Sequence, residues 1–175
     1  AVQGPVQYTS QVPSIEDVQV DGDNFTHTKQ NTNCATILFD PPIKSGVARF
    51  EVRSVRDLAI GIANESVKYN RNESSEAHGG MSHVGGWIEN DEFKSGDRVA
   101  MELDMNSMPR TLTFFVNDVE QKNYVVNVPA AVRFYALLYK QGTQFKVLKF
   151  ETLSIPTAKH LKGSRARKWG TEWEK

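Results

Sequence analysis

KSGDRVAMELDMNSMPRTLTFFVNDVEQKNYVVNV, residues Lys94 to Val128, carries strand periodicity twice over. Val99, Met101 and Leu103 alternate with Ala100, Glu102 and Asp104. After a proline-bearing loop, Leu112, Phe114 and Val116 alternate with Thr111, Thr113 and Phe115. Asn117-Asp118 breaks the pattern where a tight turn is cheap, because Asn and Asp tolerate positive φ better than other residues that carry a side chain. Tyr124, Val126 and Val128 resume the alternation, and the stretch predicts a three-stranded antiparallel meander.

Strand patterns continue outward in both directions. Ile37 and Phe39 predict a short strand stopped by Asp40-Pro41-Pro42. Ala48, Phe50 and Val52 face one way and Arg49, Glu51 and Arg53 the other, so one side of that strand is expected to be wet. Leu58, Ile60 and Ile62 alternate with Ala59, Gly61 and Ala63, which predicts a strand covered on both sides and near the middle of its sheet. Trp87 and Ile88 lead into a short strand before the meander. After it, Val132, Phe134, Ala136 and Leu138 form a strand, Gln141-Gly142 a turn, and Phe145 to Phe150 the partner strand.

Many short strands, frequent turn signals and no helical period indicate an all-β fold, a sandwich or a barrel. Its predicted core is Phe39, Phe50, Val52, Leu58, Ile60, Ile62, Val99, Met101, Leu103, Leu112, Phe114, Val116, Phe134 and Leu138. Residues 1–23 hold Gly4, Pro5 and Pro13 and little period, and are expected to be an irregular or extended N-terminal arm in which Val18 and Val20 begin an edge strand. The sandwich is assigned to 24–152 and a basic, aromatic C-terminal arm to 153–175.

The meander also resembles a known family. Gly96-Asp97 before a strand, Asp104 ending it, the run Arg110-Thr111-Leu112-Thr113-Phe114-Phe115 and then Val116-Asn117 resemble the central signature of the SPRY (B30.2-like) domains. The family usually has Gly where this chain has Asp118. Gly46 to Val52 resembles its Gly-x-x-Tyr-Trp-Glu-Val strand with Arg49-Phe50 replacing the aromatic pair, and Ile60-Gly61-Ile62-Ala63 resembles its Val-Gly-Val-Ala. Val128 to Phe134 and Phe145 to Phe150 resemble the closing strands. The resemblance runs from about Asn24 to Glu151, and no Leu-Asp-Pro element of the PRY extension stands in the first thirty residues. It implies a concanavalin-like β-sandwich of two packed antiparallel sheets and a protein-interaction module that binds partners through loops at one end.

At 175 residues the chain suits one globular unit. A hydrophobic content of 39%, a charged content of 24% and a formal net charge of zero leave no global field to attract nucleic acid or an acidic membrane. A lone cysteine, Cys34, allows no internal disulfide, which suits a reducing, cytoplasmic setting. No apolar run approaches the ~18 residues of a membrane span. The sequons at Asn24, Asn64 and Asn72 match a short pattern that chance supplies in a chain rich in Asn and Ser.

Catalytic chemistry needs a nucleophile with its base, or a metal-ligand set. His78 and His83, with Glu73 and Glu76 nearby, form a conceivable metal corner, yet no His-Glu-x-x-His pattern or second cysteine supports it, so solvent-facing loop histidines are expected. Cys34 has no histidine beside it and reads as a packed thiol. Gly79-Gly80 and Gly85-Gly86 lack the following helix of a phosphate cradle and read as hinges. Asp97 and Asp104 lie roughly 20 Å apart along one strand, too far for a glycosidase pair, and suit turn and strand-end hydrogen bonds. No enzyme, no metal and no cofactor is expected.

The expectation is therefore a non-catalytic module whose loops bind a protein or peptide. The family pattern favours Asp40 and Pro41 and the run Tyr69, Asn70 and Arg71 as contacts, and chemistry alone adds Tyr139, Lys140 and Gln141. Tyr69 and Arg71 lead because aromatic and guanidinium groups dominate interface energetics. In the C-terminal arm Lys162, Arg165, Arg167, Lys168, Trp169 and Trp173 form a docking arm for an acidic protein surface or for phosphates and bases. Two alternatives stand beside this: a structural subunit docked through its arms in a larger protein or ribonucleoprotein assembly, and a carbohydrate-binding sandwich with Tyr69 and Trp87 as its aromatic platform.

Overall fold

A computed structural model describes residues 2–55, 58–78, 83–85 and 94–170. Among them the strands are β1 (Val2–Pro5), β2 (Thr9–Gln11), β3 (Val18–Asp21), β4 (Asn24–His27), β5 (Ala35–Ile43), β6 (Val47–Val55), β7 (Leu58–Asn64), β8 (His83–Gly85), β9 (Arg98–Asp104), β10 (Thr111–Val116), β11 (Val119–Glu120), β12 (Asn123–Val126), β13 (Val132–Leu138), β14 (Gln144–Leu153) and β15 (Arg165–Lys168). A short 3-10 turn covers Ser75–His78. A ten-stranded sheet runs β15-β12-β10-β9-β6-β14-β4-β3, with β1 also on β14 and β11 on β10, and packs on a five-stranded sheet, β2-β5-β13-β7-β8.

The meander forms as its pattern requires. Thr111 to Val116 pair with Asp104 to Val99, and Asn117 and Asp118 turn the chain at φ 49° and 68°, the two positive values that a two-residue hairpin of right-handed twist demands. The third strand departs from its predicted phase. Gln121 interrupts it, leaving β11 and β12 as two pieces, and it is Val125, opposite Leu112, that is buried while Tyr124 and Val126 are half-exposed.

Every residue of the predicted core is buried except Val116, which is half-exposed beside the turn. Phe39, Phe50 and Phe134 lie at the centre, with Phe50 at 4.9 Å from Phe39 and 5.1 Å from Phe134 between ring centroids. Full burial of each such side chain stabilises the fold by roughly 1.5–3 kcal/mol. β7 is covered on both sides as expected but lies one strand in from the edge, and β13 holds the middle.

Two expectations are corrected, at β5 and β6, and the 1–23 arm takes the extended form expected of it. β5 is not stopped by Asp40-Pro41-Pro42. It runs through both prolines to Ile43, because they fall where the register with β13 shifts and no ladder N–H is required of them. The 1–23 arm is extended and knit into both sheets: β1 pairs with β14, β2 with β5, and β3 with β4 as the predicted edge strand. The face of β6 carrying Arg49, Glu51 and Arg53 is wet only at Arg53, since Arg49 and Glu51 are buried, at 8% and 2% exposure.

Beside Arg49 that face is covered by the C-terminal segment. Leaving β14, the chain crosses the outer face of the large sheet and pairs its β15 with β12 in parallel, the one parallel pair among the described strands. A parallel neighbour needs a crossover, and the crossing segment is that connection. The outer face of the small sheet is closed in the same manner by the loop after β7: Val67 and Tyr69 pack on Leu38, Ala63, Tyr135 and Leu137. The stretch predicted as a strand at Trp87-Ile88, the glycines 79, 80 and 86, and Trp173 lie outside the described residues.

Candidate functional site

The register of the small sheet fixes which predicted contacts can meet. Leu138 pairs with both Ala35 and Leu58, so the turn Tyr139 to Gln141 leaves β13 at the end where β5 begins. The loop after β7 starts at the opposite end, beside Val132, and crosses the sheet toward Cys34. Cys34 N–H donates to Asn72 Oδ1 at 3.2 Å and Thr36 Oγ1 to the Glu73 carbonyl at 2.8 Å. Asn70, Arg71, Tyr139, Lys140 and Gln141 thus gather at one end. Asp40 and Pro41 lie about 17 Å along β5 from that end at strand rise. There Asp40 serves the fold: Arg133 Nε donates to it at 2.7 Å and Gln11 Nε2 at 2.5 Å.

Tyr69, the leading anchor expected from sequence, is 8% exposed. Its hydroxyl donates to the Ser75 carbonyl at 2.9 Å, and burial pushes its phenol pKa far up. It holds the loop to the sheet and offers a partner almost nothing. Arg71 is half-exposed and ties the loop to the N-terminal segment through Asp17 and Glu16. Asp17 is 1% exposed and accepts from Arg71, Asn31 and Asn33. Burial alone would raise its carboxyl, but those hydrogen bonds and the Arg71 charge carry it below the ordinary value of 3.8. Sequence reasoning missed Asp17 because nothing in the aperiodic 1–23 stretch sets it apart.

Tyr139 is 42% exposed, a large aromatic at the rim of this end. Partial burial raises its phenol pKa, and the charges of Glu76 and Cys34 act in the same direction. Gln141 Nε2 donates to the Lys29 carbonyl at 3.0 Å, fixing the turn on the β4 side. The surface is an aromatic ring and a guanidinium edge on a braced rim.

His78, Cys34, Asp97 and Asp104 have structural partners. His78 Nε2 lies 2.6 Å from the Lys68 carbonyl and its ring packs on Tyr69, while nothing is described for the side chain of His83. Among the described residues no group of three or more His, Cys, Asp and Glu could hold a metal ion. Burial raises the half-buried Cys34 thiol, the reverse of nucleophile activation. Asp97 accepts from Lys94 N–H and Asn117 Nδ2, and Asp104 from Asn106 and Ser107 N–H, the turn roles expected of them. No helix among the described residues is long and apolar enough to cross a membrane.

The predicted docking arm docks within its own chain. Glu102, 1% exposed, accepts from Thr157 N–H at 3.0 Å, Thr157 Oγ1 at 2.5 Å and Ala158 N–H at 2.9 Å. Glu120 accepts the next two, Lys159 N–H at 2.8 Å and His160 N–H at 2.9 Å. His160 also meets Thr113 Oγ1 at 2.7 Å and stacks on Tyr124 at 3.8 Å. Arg165, Arg167 and Lys168 belong to β15, Lys162 is exposed in the preceding turn, and Trp169 packs against the core.

No family model matches the sequence, and no curated protein matches it. Solved structures do. The SPRY domain of human HERC1 superposes with a TM-score of 0.57 at 16% identity, over 80% of this chain and 94% of that one. A human SPRY domain gives 0.56 at 14% identity over 81% and 96%, and the TRIM65 PSpry domain 0.56 at 13% over 75% and 83%. At such identities the likeness shows the fold, and the fold is a SPRY-like β-sandwich.

Proposed function

We propose that this SPRY-like sandwich is a non-catalytic interaction module that binds a protein or peptide at the end of the small sheet where Tyr139, Lys140, Gln141, Asn70 and Arg71 gather. The observation that carries the reading is the exposed Tyr139 ring on a rim braced by the Arg71–Asp17 pair and the Gln141–Lys29 bond. Rigid sheets holding chemically varied connections are a general design for recognition, and aromatic and arginine side chains supply most interface energy. Asp40 and Pro41 belong to the original contact set but lie away from this end, and Asp40 is engaged by Arg133.

The assembly alternative needs arms that reach out to neighbours, whereas residues 157–160 and 165–168 are bound to their own sheet. The carbohydrate alternative loses Tyr69 as a platform to burial.

The test is affinity capture with the intact chain beside a Tyr139→Ala, Lys140→Glu variant of equal thermal stability. Loss of a partner from the variant, with recombinant partner then showing at least tenfold weaker binding, supports the surface. Identical capture and equal affinity remove it.

A further inference from the structure

The crossing segment does not lie flat on the sheet. Beside it runs a groove of about 780 Å³, floored by β14, β6 and β10 and walled by residues 157–164. Five basic side chains line it, Arg49, Lys122, Lys149, Lys159 and Lys162, against three carboxylates. Two of those carboxylates are already committed: Asp118 to Arg98, and Glu120 to the N–H groups of Lys159 and His160. Glu151 is the third.

Arg49 is the built part of this groove. Its side chain is 10% exposed, and its guanidinium carbon lies 4.4 Å from the centre of the Phe115 ring. Its nearest carboxylate oxygens, on Glu102 and Asp118, stand at 3.7 and 3.8 Å, beyond hydrogen-bond reach. A nearly buried guanidinium thus keeps a planar fork of donors without a hydrogen-bonded acceptor among the described residues, the geometry that a carboxylate matches with two parallel bonds. The groove is also partly apolar: Phe115 and Leu153 are in its lining, and Leu161 stands 69% exposed in its wall.

We propose that this groove is a second binding site, one that takes an extended acidic peptide of a partner protein, with a carboxylate on Arg49, flanking carboxylates on the exposed lysines and an apolar side chain under Leu161. Charge complementarity selects the occupant. The apolar lining of Phe115, Leu153 and Leu161 favours a peptide over a bare anion or a phosphate backbone. The site lies on the outer face of the large sheet and stands independently of the surface around Tyr139.

Fluorescence anisotropy with a fluorescein-labelled Glu-Glu-Leu-Glu-Glu peptide tests it on the full chain. Saturable binding is expected at low ionic strength, weakening as salt screens the lysines. Lys122→Glu with Lys162→Glu, two exposed positions that leave the core untouched, should weaken it at least tenfold, and Arg49→Lys should weaken it while keeping the charge. Tyr139→Ala should leave it unchanged. A Gln-Gln-Leu-Gln-Gln peptide that binds equally well, a double lysine variant that binds as wild type, or binding of a labelled single-stranded RNA with none of the acidic peptide would each overturn the proposal.

Discussion

Arg71 clasps Asp17 across fifty-four residues of sequence, with Nε 3.1 Å from Oδ2 and Nη2 2.9 Å from Oδ1. The pair joins the segment before β3 to the loop that covers the small sheet. Half of it is buried and half is not: Asp17 is 1% exposed, whereas the Arg71 side chain is 44% exposed. The carboxylate, with Asn31 and Asn33 also donating to it, is therefore the stability-bearing partner.

Asp17→Ala should destabilise the domain by about 1–3 kcal/mol, because three donor side chains lose a charged acceptor in a buried position. Urea denaturation followed by tryptophan fluorescence measures it. A loss well under that range would mean that water replaces the carboxylate freely.

The Asp17 carboxyl also sets a pH dependence. Its folded value lies below the ordinary 3.8, so its contribution is complete above that value and is lost as pH falls through the folded value. Thermal melts of wild type and Asp17→Asn should differ by a constant amount from pH 5 to 7 and converge below about pH 4. A gap that widens on acidification would contradict the assignment.

Tyr69 is expected to behave as a core residue. Tyr69→Phe, which removes only the bond to the Ser75 carbonyl, should cost about 0.5–1.5 kcal/mol. Tyr69→Ala should cost about 3–5 kcal/mol by emptying the layer between the loop and Leu38, Tyr135 and Leu137. Equal small effects would show that the loop does not pack there.

Glu102→Ala should release the crossing segment. It removes the acceptor of Thr157 and Ala158 N–H and the buried charge nearest Arg49, at a cost of about 3–5 kcal/mol. Hydrogen exchange read by mass spectrometry should show protection falling first in residues 157–168, with the β9–β10 ladder unchanged. Uniform loss across the sheet would argue against a separable strap.

Asp118→Gly tests why this turn departs from the usual glycine. Glycine would relax the φ of 68°, while loss of the carboxylate would break the pair with Arg98, 2.6 Å across an exposed rim. The two effects oppose, so the melting temperature should move by less than about 3 °C. Rising salt should favour the glycine variant progressively, since only the wild type has the exposed Arg98–Asp118 pair to screen.

Alternation alone carried the architecture. Val99, Met101 and Leu103, with Leu112 and Phe114, face one way because successive side chains in a strand must point to opposite faces, and Asn117-Asp118 turns because both residues accept positive φ. The same rule misjudged β12: alternation runs on through it, but with Asn123 and Val125 inward, while Tyr124 lies on the outer face under the stacked ring of His160.

What alternation could not say is what covers the other side of each sheet. Arg49 and Glu51 are charged and so looked wet, yet Arg49 is buried where a segment more than fifty residues after Glu102 in sequence crosses beside it, held by its own backbone N–H groups on Glu102 and Glu120, and Glu51 is buried between Arg98 and Lys149. Tyr69 looked like a contact and became a wedge for the same reason. Local sequence dictates the strand and the face of each side chain. Whether that face meets water depends on which distant segment folds across it, and only the tertiary structure decides that.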